Sequence, residues 1–426
     1  MLKQKLIVKI ELAVIAAILA GTSLYASKAL GKPQTSPQKL VDEVWQILDK
    51  NYVDVSFNHQ DWKAIRQQYV NRSYSSQKQA YGAIQEMVAK LGDRYTEFFD
   101  PQEFQALNND LSGNLSGVGL ELAQNEKTKA LTVIAPIEGT PAFRAGILPD
   151  DVIVRINGQI TQGMKIEDAV KRILGPAGTK VVLTIQRGSQ LQTFKLTRAN
   201  IAIHPVTYNT QTTPVGKIGY IRLPEFTQTA AKEMHRAIQA LEKQQVQGYV
   251  LDLRSDPGGL LDASLQIASM WLKQGAIVSL VNRDQVKDSY KASGHPLTNK
   301  PLVILVDKGS ASASEILSGA LQDDNRATLV GTRTFGKGLV QSVEPLSDGS
   351  ALKLTIAKYY TPKGRDINHV GIVPDITVEL TKAQLKALVQ NRTLGTLADP
   401  QYARAVAEES KLIQSVTNHV SLQRGE

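Results

Sequence analysis

The 426-residue chain contains no cysteine. That excludes disulfides, thiol nucleophiles and cysteine-ligated metal sites, and it suits an exported protein that avoids accidental oxidation. Histidine is scarce, with six residues (His59, His204, His235, His295, His369 and His419). None sits in H-E-x-x-H, and the chain has neither a G-x-S-x-G elbow nor a P-loop. Nothing in the pattern therefore supports metal catalysis or a Ser-His-Asp triad, and no cofactor is implied. Runs of five or six like charges are absent, as are zinc fingers and basic-aromatic stripes. The usual signatures of nucleic-acid binding are thus missing. No apolar stretch reaches the ~20 residues needed to span a bilayer.

What is present describes a globular protein. Hydrophobic residues make up 42% and charged residues 21%, both ordinary values. At roughly 100–200 residues per domain, the length implies two to four domains. The net charge of +9 is spread along the chain, with an excess near the start. There, Lys3, Lys5 and Lys9 precede the apolar segment 12–20, and small residues follow at Ser23, Ala26, Ser27 and Ala29. A basic region, a short apolar core and small residues describe a secretory signal peptide over residues 1–29. Because no clean A-x-A site appears, retention as a membrane anchor is the alternative.

Residues 31–37 read as a linker. Residues 37–110 read as helical, with Leu40, Val41, Val44, Ile47 and Leu48 on one face. Residues 111–199 form a mainly β module, with strands expected near 131–135, 151–156 and 181–186 and short helices near 141–145 and 166–174. From 200 to 380, strands alternate with helices, which predicts an α/β core with parallel pairing and right-handed crossovers. A strand over 277–281 is counted in that alternation. Two later strands are joined by a hairpin at Asp348–Gly349. Residues 381–426 read as a polar helical tail.

Three segments carry chemistry. The first, 302–324, is an apolar strand, a small-residue turn and a helix whose first turn holds Ser312, Ala313, Ser314 and Glu315. A hydroxyl there lies beside unpaired N–H groups that can stabilise an oxyanion. Capping is the ordinary explanation of such a serine, and Ser312 with Glu315 fits a capping box. The second, TRTFGKG over 332–338, sets Lys337 between two glycines after a strand. Burial depresses a lysine pKa and makes it a usable base, which a serine nucleophile requires. The third, DLRSDPGGLL over 252–261, lets backbone approach a ligand closely.

Taken together, DLRSDPGGLL, GSASASEILSGALQDD and GTRTFGKGLVQSV resemble the carboxyl-terminal processing peptidases, also called tail-specific proteases. The resemblance covers nearly the whole chain and implies a ClpP/crotonase-like protease core with an inserted PDZ domain and a helical N-terminal segment. It implies Ser312 as nucleophile, Lys337 as base, Gln341 as the base's helper, and Ala313 with Gly258 or Gly259 as oxyanion donors. Asp323 matches an acidic supporting position. A direct contact between Lys337 and Gln341 needs a bend, since four residues of straight strand span about 13 Å. The turn departs from the usual N-P-G-G by carrying Asp256. In the PDZ-like module, Gly117, Val118, Gly119 and Leu120 stand where a carboxylate-binding loop is expected, beside the signature segment 140–159. Substrates would be proteins with exposed C-terminal tails, caught as an added strand. The segment GDRYTEFFDP resembles the cyanobacterial and chloroplast branch, some of whose members mature a photosystem II reaction-centre precursor in the thylakoid lumen. The expected location is therefore the periplasm or the thylakoid lumen. Two competing readings are a non-catalytic PDZ scaffold or chaperone of the envelope and a crotonase-like acyl-group enzyme.

Overall fold

The computed structural model describes residues 36–112, 114–124, 128–137, 139–202, 205–391 and 393–423. The basic and apolar start of the chain, read above as an export signal or anchor, lies outside them. Among the described residues, no helix is long and apolar enough to cross a membrane. The chain forms two compact units: residues 112–202 with 380–399, and residues 36–111 with 205–379 and 400–423.

The larger unit is built on a six-stranded sheet in the order Thr207–Thr213, Gly216–Arg222, Gly248–Asp252, Leu302–Val306, Thr328–Gly331, Ile376–Thr377. The first pair is antiparallel and the remaining pairs are parallel. Gly248–Asp252 and Leu302–Val306 are buried at every position, as central strands covered on both faces must be. Successive side chains alternate between those faces. Leu251 and Ile304 join Met234, Ile267 and Leu317 from the helices Ala230–Lys243, Leu261–Ser269 and Ala313–Asp323. Val250, Val303 and Leu305 face the other way and meet Tyr402, Ala405, Val406 and Ile413 of the helix Pro400–Gln423. That last helix reads as polar because its apolar residues are small or scattered among charged and amide ones. They nevertheless fall on one stripe, and the stripe packs on the sheet.

A second, antiparallel sheet joins Glu97–Phe99, Ala351–Tyr360, Ala276–Asn282 and Lys287–Lys291, with Leu339–Pro345 also paired to Ala351–Tyr360. The strand expected over 277–281 is present but does not belong to the parallel alternation. Leu280 lies opposite Tyr359 in an antiparallel pair. Its outer half is only partly buried, which an antiparallel sheet tolerates and a doubly covered parallel sheet does not. The hairpin about Asp348–Gly349 is as expected. The three N-terminal helices, Pro37–Asn51, Trp62–Val70 and Gln77–Ala89, are N-capped by Ser36, Asp61 and Ser76. They share a core with Leu346, Leu352 and Leu354 of the hairpin region.

The smaller unit carries the antiparallel strands Leu120–Gln124, Leu131–Pro136, Val152–Ile156, Lys180–Arg187 and Gln190–Thr197, with short helices at Pro141–Arg144 and Ile166–Ile173. Val133, Ile153, Ala169 and Leu183 lie in its core.

Candidate active site

Strand Leu302–Val306 delivers the chain to a serine-rich turn, and the hydrogen bonds sort the serines. Ser310 Oγ donates to the Leu253 carbonyl at 2.8 Å, Ser314 Oγ to the Asp256 carbonyl at 2.9 Å, and Ser318 Oγ to the Ser314 carbonyl at 2.7 Å. Those hydroxyls are structural. Ser312 is the N-cap of helix Ala313–Asp323 and shares a capping box with Glu315, but unlike its neighbours its hydroxyl donates to no carbonyl. Its backbone sits at φ 53° and ψ −111°. A non-glycine residue there carries strain of about 1–3 kcal/mol, and such strain collects at functional turns. The Ser312 hydroxyl thus keeps its proton uncommitted where its neighbours donate theirs.

Glu315 supplies the other half of the capping box and does more than cap. It is fully buried. Its Oε2 accepts from the Ser312 N–H and the Lys337 N–H, both at 2.9 Å. Its Oε1 accepts from Thr334 Oγ1 at 2.5 Å and the Gly336 N–H at 2.7 Å. Burial pushes this carboxyl's pKa up, while the four donors oppose that rise. One carboxylate thus fastens the lysine loop to the serine turn. The sequence signal was the position three residues after Ser312, which reads only as a cap.

Lys337 lies beyond strand Thr328–Gly331 and is only 3% exposed. Its Nζ stands 4.9 Å from the centre of the Tyr95 ring. Burial lowers its pKa to about 7, helped by the charge of Lys353 and opposed by Asp93 and Glu315. Much of the amine is therefore uncharged near neutrality, as a base must be. In this conformation Lys337 is not hydrogen-bonded to the Ser312 hydroxyl; the shared carboxylate links the two turns. Gln341 follows a bulge between Val340 and Gln341 in strand Leu339–Pro345. Its amide is buried and neither of its polar atoms has a partner. The bend expected between lysine and glutamine exists, but no bond joins them. Gln341 lines one small cleft with Ser312, Ala313, Gly259, Leu339 and Tyr359.

The glycine turn closes the other side. Gly258 and Gly259 have φ of 104° and 136°, which side chains avoid. A Cβ on Gly258 would stand 2.7 Å from the Ala311 carbonyl oxygen and 3.0 Å from both Ala313 N and Ser312 Cβ. The turn is pinned by bonds from the Phe226 N–H to the Gly258 carbonyl and from the Leu260 N–H to the Phe226 carbonyl, each 2.8 Å. The turn thus lies beside Ser312 and Ala313, and of its two candidate oxyanion donors Gly259 lines the cleft with Ser312 whereas the Gly258 N–H is taken by Asp256 Oδ1 at 2.8 Å.

The remaining candidates take other places. Asp323 is at the far end of the serine helix, about 16 Å along its axis from Ser312 at 1.5 Å per residue. It binds Arg365 Nη2 at 2.5 Å and the Lys363 N–H at 2.9 Å, so it anchors a loop rather than touching the reaction. Asp252 and Arg254 of the DLR segment form a buried pair at 2.6 Å, and Arg254 continues to Gln401 on the last helix. In the smaller unit, Gly117 ends the strand Asn114–Gly117, Val118 is buried, Gly119 lies against Thr140, and Leu120 begins the next strand.

The family pattern of peptidase family S41 matches residues 217–378, that of a PDZ domain residues 132–187, and that of the tricorn protease C1 domain residues 33–75. With the α/β core these matches define a serine-type peptidase carrying a PDZ domain. The chain is 44% identical over 375 residues to the carboxyl-terminal-processing protease of Synechocystis sp., covering 87% of this chain and 86% of that one. It is 41% identical to carboxyl-terminal-processing peptidase 3 of the Arabidopsis thaliana chloroplast, covering 80% and 69%. Among solved structures it is similar to a photosystem II D1 C-terminal processing protease, with a TM-score of 0.58 and 37% identity over 86% of this chain and all of that one. The chain belongs to peptidase family S41, among the carboxyl-terminal-processing proteases.

Proposed function

We propose that Ser312 and Lys337 form the catalytic dyad. The observation that carries this reading is the buried Lys337 amine, with a pKa near 7 and its backbone tied through Glu315 to the strained Ser312 turn. Lys337 Nζ takes the proton of Ser312 Oγ as that oxygen bonds to the scissile carbonyl carbon. The N–H groups of Ala313 and Gly259 receive the oxyanion, since the Gly258 N–H is held by Asp256 Oδ1. When the C–N bond breaks, the leaving nitrogen takes the proton from Lys337. A water, deprotonated by the same amine, then attacks the acyl-enzyme, and the serine regains its proton as the new carboxylate leaves. Gln341 borders this path with a free amide.

The PDZ unit captures the substrate's C-terminal carboxylate on the loop at Gly117, Val118, Gly119 and Leu120 and adds the tail as a strand. Residues 1–29 direct export or tether the protein to a membrane. The similarity to a protease named for D1 processing makes a D1-type precursor the candidate substrate, in the thylakoid lumen or periplasm.

The test uses a precursor peptide with its C-terminal extension. Wild-type protein should remove the extension, and Ser312→Ala should bind the tail without cutting it. Cleavage by Ser312→Ala at the wild-type rate would overturn the dyad. Equal cleavage of a peptide whose terminal carboxylate is amidated would overturn tail recognition.

A further inference from the structure

Asp256 opens the glycine turn, and the dyad does not use it. The residue is completely buried. Its Oδ1 accepts from the Gly258 N–H at 2.8 Å, while the equally buried Oδ2 accepts no hydrogen bond, the neighbouring Ser314 hydroxyl being directed to the Asp256 backbone carbonyl. Its backbone carbonyl is gripped from both sides of the nucleophile, by the Ala311 N–H at 3.0 Å and Ser314 Oγ at 2.9 Å. One residue therefore ties together the glycine turn and the segments flanking Ser312.

The surroundings do not suit an anion. Arg222, whose positive charge acts on this carboxyl, is paired with Asp252 at 3.3 Å and donates to the Arg254 carbonyl at 3.3 Å. Glu225 adds a like charge. Asp307, across the turn, is occupied with Ser255. Glu315 on the serine helix is itself acidic and filled by its four donors. A buried carboxylate with one bare oxygen and no paired cation is far costlier than the neutral acid, whose proton sits on that bare oxygen. Burial accordingly holds the Asp256 carboxyl well above the usual carboxylate range.

We propose that Asp256 works as a neutral carboxylic acid, a positioning residue that holds the Gly258–Gly259 turn against Ser312, and that its ionisation at alkaline pH switches the peptidase off. The proposal rests on the reading of Gly259, in that turn, and Ala313 as oxyanion donors. An anion at Oδ2 would set negative charge behind the groups meant to stabilise negative charge. Activity then needs Lys337 without its proton and Asp256 with one, so the pH profile is a bell. Its acid limb belongs to the lysine and its alkaline limb to the aspartic acid.

Asp256→Asn offers Gly258 the same acceptor and has no proton to lose. Its alkaline limb should disappear while the acid limb stays in place. Asp256→Ala lacks the acceptor and should lose kcat with little change in KM. An alkaline limb that persists unchanged in Asp256→Asn overturns the switch. The protonation claim is tested apart from catalysis, on a Ser312→Ala background. There, the folding equilibrium of the asparagine variant should gain on its parent by about tenfold per pH unit above the ordinary aspartate range. A gap that does not vary with pH means Asp256 is ionised and overturns the proposal. If the asparagine variant does not fold, carboxyl-labelled aspartate in Ser312→Ala protein provides the same test by infrared spectroscopy. A protonated aspartate band at pH 7, lost on raising the pH, supports the proposal, and its absence overturns it. Failure of the dyad itself would show separately, as cleavage by Ser312→Ala.

Discussion

The backbone N–H groups of Ser312 and Lys337, twenty-five residues apart, donate to the same oxygen, Glu315 Oε2, each at 2.9 Å. The proposed nucleophile and base are therefore registered to each other through their main chains, with neither side chain used in the tie. Glu315→Gln keeps one oxygen but turns an NH2 group either toward the Gly336 N–H or toward the N–H groups of Ser312 and Lys337. Each donor left unpaired costs about 1–3 kcal/mol. The variant should lose activity about 100-fold or more, read as kcat on a peptide substrate, alongside a lowered melting temperature.

Lys353 lies on the strand Ala351–Tyr360 and pairs with Glu97 at 3.0 Å. After burial, its charge is the largest influence lowering the Lys337 pKa to about 7. Lys353→Met removes that cation and frees the Glu97 carboxylate, so Lys337 should hold its proton more tightly. The acid limb of kcat/KM should move upward by about one unit at most. Activity lost at pH 7 should return at higher pH. A purely structural defect would lower the whole profile without moving it.

Gly259 has less room than Gly258. A Cβ on Gly259 would meet the Phe226 carbonyl oxygen at 2.3 Å, whereas on Gly258 the nearest atom is the Ala311 oxygen at 2.7 Å. Both substitutions force backbone to move beside Ser312. Gly259→Ala should cost more stability, and Gly258→Ala should mainly cost turnover. Chemical denaturation and steady-state kinetics on the pair would separate the two effects.

Glu409 on the last helix accepts from the Tyr249 N–H at 3.1 Å and leaves Oε2 without a partner. Burial raises its pKa to about 8. The folded protein thus holds a proton that the unfolded chain releases at ordinary glutamate pH. Stability falls as pH rises from that range toward 8. Glu409→Gln removes this dependence and should be more stable at pH 8 by about 2–4 kcal/mol, measured by denaturant unfolding at pH 5 and 8.

Short apolar strands and glycine turns announce themselves along a chain, so the core strands and the mainly β module were legible from local pattern. Ser312 and Lys337 could be placed after sheet strands for the same reason. The pairing of Ala276–Asn282 was not legible, because an apolar run does not reveal which sheet will receive it. Strand Thr207–Thr213 escaped notice because its TYNTQTT sequence is polar and largely exposed. The wider role of Glu315 depends on a fold that returns residues 334–337 to the start of a helix, which no spacing rule contains. Asp256 stood out only as a departure from a motif. Its orphaned oxygen is a fact of three-dimensional packing.

The backbone of Ser312, at φ 53° and ψ −111°, has a consequence for how such a protein changes over time. Glycine occupies that region with far less strain. A chain with glycine at 312 would lack the hydroxyl and yet fold more firmly. With Ser312 as the proposed nucleophile, selection for heat resistance alone would be drawn toward inert proteins at this one Cα. Only continued demand for cleaved product keeps the less comfortable residue in place.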